Sequence, residues 1–103
     1  MAKQLIILGA GESGTGAAIL AKAKGYDVFV SDGSPIAKPF KAELDALGVP
    51  YEEGSHNMDR ILAADEVVKS PGIPEKAPVM KAIREKGIPV ISEVEFAYRY
   101  MNN

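Results

Sequence analysis

Cysteine and tryptophan are absent from this 103-residue chain, and histidine occurs once. Without thiols there is neither a disulfide framework nor a thiolate zinc site, and a lone histidine cannot build a histidine-based centre, so no metal site is expected. A reducing compartment fits that composition. Blocks of one charge are missing too: 12 basic and 14 acidic side chains are mixed along the sequence, for a formal net charge of -2. There is no basic stripe for nucleic acid and no polybasic patch for a membrane surface. Apolar runs are short, and Met1-Ala2-Lys3-Gln4 leads straight into one of them without a signal-peptide core. Nowhere is there a G-x-x-x-x-G-K-[ST] phosphate loop, and no serine, histidine and acid combination stands out as a hydrolase. The expectation is a single cytoplasmic domain, monomeric, with no catalytic residues of its own.

What is present centres on Gly9-Ala10-Gly11-Glu12-Ser13-Gly14. It follows the apolar run Leu5-Ile6-Ile7-Leu8 and precedes Ala17-Ala18-Ile19-Leu20-Ala21, so it reads as strand, tight turn and helix start. Gly9 suits the sharp turn, Gly11 leaves room for a ligand against the backbone, and Gly14 allows close packing of helix on strand. Amides of the first helical turn then offer donors and a partial positive charge to a phosphate. A second strand, Val28-Phe29-Val30-Ser31, ends in Asp32, which completes a βαβ nucleotide-site pattern. A glycine turn with no ligand, and an aspartate that only caps a turn, are the plainer alternatives.

Short apolar runs alternate with amphipathic segments along the whole chain, the pattern of a parallel sheet covered by helices on both faces. Strands are expected at Gln4–Leu8, 27–31, 49–53, Glu66–Lys69 and 89–91. Helices are expected at 13–24, around Phe40, Leu44 and Leu47 up to Gly48, around Ile61 and Leu62, and around Val79, Met80 and Ile83 up to Gly87. Pro50 places the third strand at an edge, because proline cannot donate to a central ladder. Ser92 and Glu95 form a capping box for a last helix on which Val94, Ala97, Tyr98 and Met101 share a face. Right-handed crossovers then favour a Rossmann-like, doubly wound α/β sheet in the order 3-2-1-4-5. In that order the glycine turn, the strand-two end at Asp32 and the loop Ser70-Pro71-Gly72-Ile73-Pro74 converge on one crevice.

At that crevice a diphosphate would lie across the amides of Gly11, Glu12 and Ser13, with the Ser13 hydroxyl donating and Asp32 accepting from a sugar or base. Glu12 would repel a diphosphate, so it is expected to point outward or lie over the base. Lys69 is read as a solvated strand-end residue, the alternative being a counter-charge for phosphate. His56, after the third strand, is read as a turn residue rather than an acid or base. Glu93 is read as a solvated first-turn residue and Glu95 as part of the cap. Tyr51, Tyr98 and Tyr100 are read as packing or surface residues, not stacking platforms.

Taken together, the Gly9 to Gly14 turn, Val30-Ser31-Asp32, Lys69-Ser70-Pro71-Gly72-Ile73-Pro74 and Ile91-Ser92-Glu93-Val94-Glu95-Phe96 resemble the N-terminal domain of the Mur ligases, in particular the branch that adds D-glutamate. The likeness covers nearly the whole chain. It implies a three-domain cytoplasmic enzyme of peptidoglycan synthesis, of which this chain would be the first domain and inactive alone. That domain would hold the UDP end of UDP-N-acetylmuramoyl-L-alanine, while absent central and C-terminal domains would bind ATP with magnesium and D-glutamate. By motif position, Glu12 and Ser13, next to Gly11, would flank uracil and phosphates. Asp32, Gly33 and Ser34 would read uracil or ribose, and Ser70, Pro71 and Gly72 would meet the diphosphate. Glu12 departs from the apolar residue that relatives carry, and Gly33-Ser34 replaces side chains that elsewhere donate to the base. Two other readings stay open on the residues alone: an NAD-binding dehydrogenase domain, and a regulatory domain that kept the fold and lost the site.

Overall fold

The computed structural model describes residues 2–101. Strands and helices alternate as β1 (Gln4–Leu8), α1 (Glu12–Ala23), β2 (Asp27–Asp32), α2 (Lys38–Ala46), β3 (Tyr51–Glu53), α3 (Met58–Leu62), β4 (Glu66–Lys69), α4 (Pro78–Lys86), β5 (Val90–Ser92) and α5 (Glu93–Met101). Every strand pairs in parallel with its neighbours, in the order β3-β2-β1-β4-β5. The doubly wound α/β sheet expected from the sequence is therefore the observed one. Among the described residues no helix is long and apolar enough to cross a membrane.

The period of two in β1 feeds two cores. Leu5 and Ile7 join Val28, Val30 and Val68 under Ala17, Ala18 and Ala21 of α1, Leu44 of α2 and Phe96 of α5. Ile6 and Leu8 point the other way, with Phe29 and Val67, onto Ile61 of α3 and Val79, Met80 and Ile83 of α4. A strand buried on both faces has no polar side, which is why these runs are continuously apolar rather than alternating. The alanines of α1 let its axis approach the sheet closely.

Boundaries differ from the sequence expectation where a cap or ladder decides them. Gly11 takes the N-cap of α1, so the helix starts at Glu12, and β2 runs on to Asp32. The β3 ladder begins at Tyr51, while the Pro50 carbonyl accepts the Val30 amide at 3.1 Å. The Ser92 and Glu95 capping box forms as expected, with both backbone amides satisfied by side chains at 2.9 and 3.0 Å. The face of α5 carrying Val94, Tyr98 and Met101 is nevertheless 64, 66 and 66% exposed. The helix instead buries Glu93 and Phe96, because Phe96 and Tyr100 meet Tyr26 edge to face and Arg99 grips Glu66 of β4 through two hydrogen bonds of 3.0 and 2.7 Å.

Candidate functional site

The sheet order reverses between β1 and β4, so the loops after β1, β2 and β4 leave from the same edge and diverge over a gap. The gap is a cleft of about 320 Å³ lined by Gly9, Ala10, Gly11, Asp32, Gly33, Ser34, His56, Ser70, Gly72, Ile73 and Pro74. Of the residues singled out in the sequence, Gly11, Asp32, Gly33, Ser34, Ser70 and Gly72 thus meet on one surface.

Two glycines hold the turn in shape. Gly9 has φ +97, and a Cβ there would lie 2.7 Å from Ser70 Cβ, so the loops after β1 and β4 interlock backbone against side chain. A Cβ on Gly14 would lie 1.9 Å from the Gly9 carbonyl oxygen, which forces the first turn of α1 down onto the end of β1. Gly11 is different: a Cβ there would meet nothing within 4 Å. Its space belongs to the open cleft. No side chain caps α1, so the amides of its first turn are left without a side-chain acceptor next to that opening.

Asp32 ties the cleft together. Its Oδ2 accepts the Ala10 amide at 2.8 Å and its Oδ1 accepts the Ser34 amide at 2.9 Å. The turn-capping alternative is therefore realised, and the carboxylate still has lone pairs to offer, since each oxygen carries two. Across the cleft the Ser70 hydroxyl accepts the Gly72 amide at 3.3 Å, which leaves its own proton to donate.

Ser13 and Pro71 fall on a neighbouring cavity of about 610 Å³, between α1 and α5, together with Lys69, Glu93 and Phe96. The Ser13 side chain lies close enough to Glu93 there to favour its charged form. Lys69 Nζ lies 3.8 Å from Glu75, so the strand-end lysine has a carboxylate partner. Glu12 is exposed at the helix start, as its charge required. Glu93 corrects the expectation of a solvated first-turn residue: it is buried, and among the described residues its Oε2 has no hydrogen-bond partner. Burial pushes its carboxyl above the usual carboxylate range, against the opposing pull of the nearby Ser13 hydroxyl. The cause is the start of α5 lying against the start of α1, where a Cβ on Gly14 would stand 3.2 Å from Glu93 Oε2.

His56 is the cleft residue that sequence reasoning set aside as outlying. Because β3 pairs in parallel with β2, the loop after β3 leaves from the same edge as Asp32 and Gly33. That adjacency was present in the inferred strand order and was the signal to follow.

The family model described as Mur ligase MurD-like, N-terminal domain, matches residues 3–92. The chain is 60% identical over 102 residues to a UDP-N-acetylmuramoylalanine--D-glutamate ligase of Cytophaga hutchinsonii, covering 99% of this chain and 23% of that protein. It is 59% identical over 98 residues to the ligase of the same name from Bacteroides fragilis, covering 95% of this chain and 22% of the relative. Among solved structures, a murein peptide ligase of Psychrobacter arcticus superposes with a TM-score of 0.86 at 27% identity, over 95% of this chain and 20% of that one. The chain spans about a quarter of the length of the curated relatives it matches.

Proposed function

This chain belongs to the MurD-like N-terminal domains of the Mur ligases, and from that membership we propose that it holds the UDP end of UDP-N-acetylmuramoyl-L-alanine for a ligase that adds D-glutamate in peptidoglycan synthesis. The observation that carries the reading is the meeting of an uncapped helix start, the Asp32 turn and the Ser70 turn around one cleft. Each supplies a different donor or acceptor. The diphosphate lies against the amides at the start of α1, reached through the open space at Gly11. Asp32 accepts from a ribose hydroxyl with its remaining lone pairs, and the Ser70 hydroxyl donates to phosphate oxygen. Ser13 reaches the diphosphate through its backbone amide at the helix start.

On this reading the domain binds and orients without chemistry. ATP, magnesium and D-glutamate act in the part of the relatives that this chain does not span, where phosphorylation of the substrate carboxylate and attack by the D-glutamate amine would occur. Two-dimensional amide NMR of the chain, titrated with UDP, tests the proposal. Saturable shifts are expected at Gly11, Ser13, Asp32 and Gly72, with no comparable response to NAD. NAD is the control because a glycine turn followed by an acidic strand end also describes dinucleotide sites. Saturation of those amides by NAD, with no response to UDP, would overturn it.

A further inference from the structure

In the Asp32–Gly33–Ser34 turn Gly33 brings no side chain to the cleft, and the Asp32 oxygens already hold two backbone amides. The polar side chain that fills the space beside it comes from another loop. A Cβ on Gly33 would stand 3.2 Å from His56 Nε2, so the bare glycine lets the imidazole lie against this turn. The ring is half-buried and lines the same cleft.

Its orientation is set from behind. The Ser31 hydroxyl donates to Glu52 Oε2 at 2.7 Å, and the same oxygen accepts the Asn57 amide at 2.7 Å. Ser31 Oγ also lies 2.7 Å from His56 Nδ1. A hydroxyl has one proton, and Glu52 takes it, so His56 Nδ1 must be the donor in the second contact. A neutral ring with its proton on Nδ1 has a bare lone pair on Nε2. Among the described residues that nitrogen has no hydrogen-bond partner.

We infer that His56 is a specificity-determining residue of the cleft, whose Nε2 accepts the imide N–H of a uracil ring. The inference rests on the UDP reading above and goes beyond it by naming the group that reads the base. Uracil presents a donor at N3. Cytosine presents a lone pair there, which would face the Nε2 lone pair and leave both unpaired. The buried Ser31 and the half-buried Glu52 hold the ring in the tautomer that prefers uracil, so discrimination is built into the free protein.

The test compares UDP, CDP and N3-methyl-UDP on the 103-residue chain and on His56→Ala, in a buffer alkaline enough to keep imidazole neutral. The wild-type chain is expected to prefer UDP over the other two by about tenfold, the loss that follows from one unmade hydrogen bond to a desolvated acceptor. His56→Ala is expected to bind all three alike. Imidazole 15N shifts of the wild-type chain give a readout independent of the variant: a proton on Nδ1 in the free protein, and an Nε2 resonance that moves with UDP and not with CDP. Undiminished preference for UDP in His56→Ala, or an Nε2 resonance indifferent to UDP, would overturn this inference and leave the UDP reading standing. Absence of any wild-type response to UDP would overturn both.

Discussion

The Asp32 carboxylate accepts the Ala10 backbone amide at 2.8 Å, which fastens the end of β2 to the glycine turn after β1. Its other oxygen holds the Ser34 amide at 2.9 Å. One side chain thus shapes two walls of the cleft before any ligand arrives. Asp32→Ala leaves both amides without a protein partner and should lower stability by about 1–3 kcal/mol. Asp32→Asn keeps one acceptor oxygen and should fall between the two in urea unfolding. Equal stability of Asp32→Ala and the parent chain would mean that water replaces the carboxylate at no cost.

Gly11 and Gly14 directly flank the first two residues of α1, Glu12 and Ser13, and predict opposite behaviour on substitution by alanine. At Gly14 the new methyl meets the Gly9 carbonyl at 1.9 Å, and backbone cannot step aside. Gly14→Ala should cost about 3 kcal/mol. At Gly11 the methyl meets nothing within 4 Å. Gly11→Ala should change stability by no more than about 1 kcal/mol, the scale of a poorer N-cap, yet weaken UDP binding by filling the ligand's approach. Thermal unfolding and UDP titration of the pair separate a glycine kept for folding from one kept for binding.

Arg99 holds the buried Glu66 carboxylate below the usual carboxylate range, chiefly through its two hydrogen bonds and against the opposing effect of burial. A carboxyl with a depressed folded-state value contributes stability above its unfolded value and loses it as pH falls through the folded one. Arg99→Ala should therefore destabilise by about 2 kcal/mol at neutral pH, less than a fully buried pair because Arg99 is partly exposed. The deficit should shrink in acid. Arg99→Lys keeps the charge but not the paired geometry and should lie between them. Urea midpoints across the acidic range check both the size and the convergence.

Glu93 carries the opposite sign. Its folded-state value is raised by burial, so its contribution is best at low pH and is lost as pH rises through the raised value. Glu93→Gln removes the buried charge and should raise the urea midpoint at neutral pH, with the advantage fading as acid protonates the parent glutamate. An advantage that stays constant across pH would show that the charge is already relieved in the folded chain.

Much of this architecture can be read without coordinates. The limits of β1 and β4, the edge position of β3, the Ser92 and Glu95 box and the strand order all follow from apolar runs, one proline, one capping motif and the handedness of crossovers. The convergence of Gly11, Asp32 and Gly72 follows from that order in turn. The face that α5 buries does not. Val94, Tyr98 and Met101 form one apolar stripe and Phe96 with Tyr100 another, and helical periodicity alone cannot choose between them. Tyr26 and Glu66 choose, through partners far away in the chain.

Local chemistry, then, was settled by the amino-acid order: a turn that only glycine can make, a helix started by its own side chains, strands apolar on both sides because both sides are covered. Those features depend on atoms a few bonds apart, and covalent geometry carries them into any fold the chain adopts. Tertiary structure alone decided that Ser13 turns to Glu93, that Asp32 spends both oxygens on backbone, and that His56 stands beside Gly33. Contacts of that kind join residues whose separation in space is set by how whole elements dock, and docking is a property of the assembled cores rather than of any one segment.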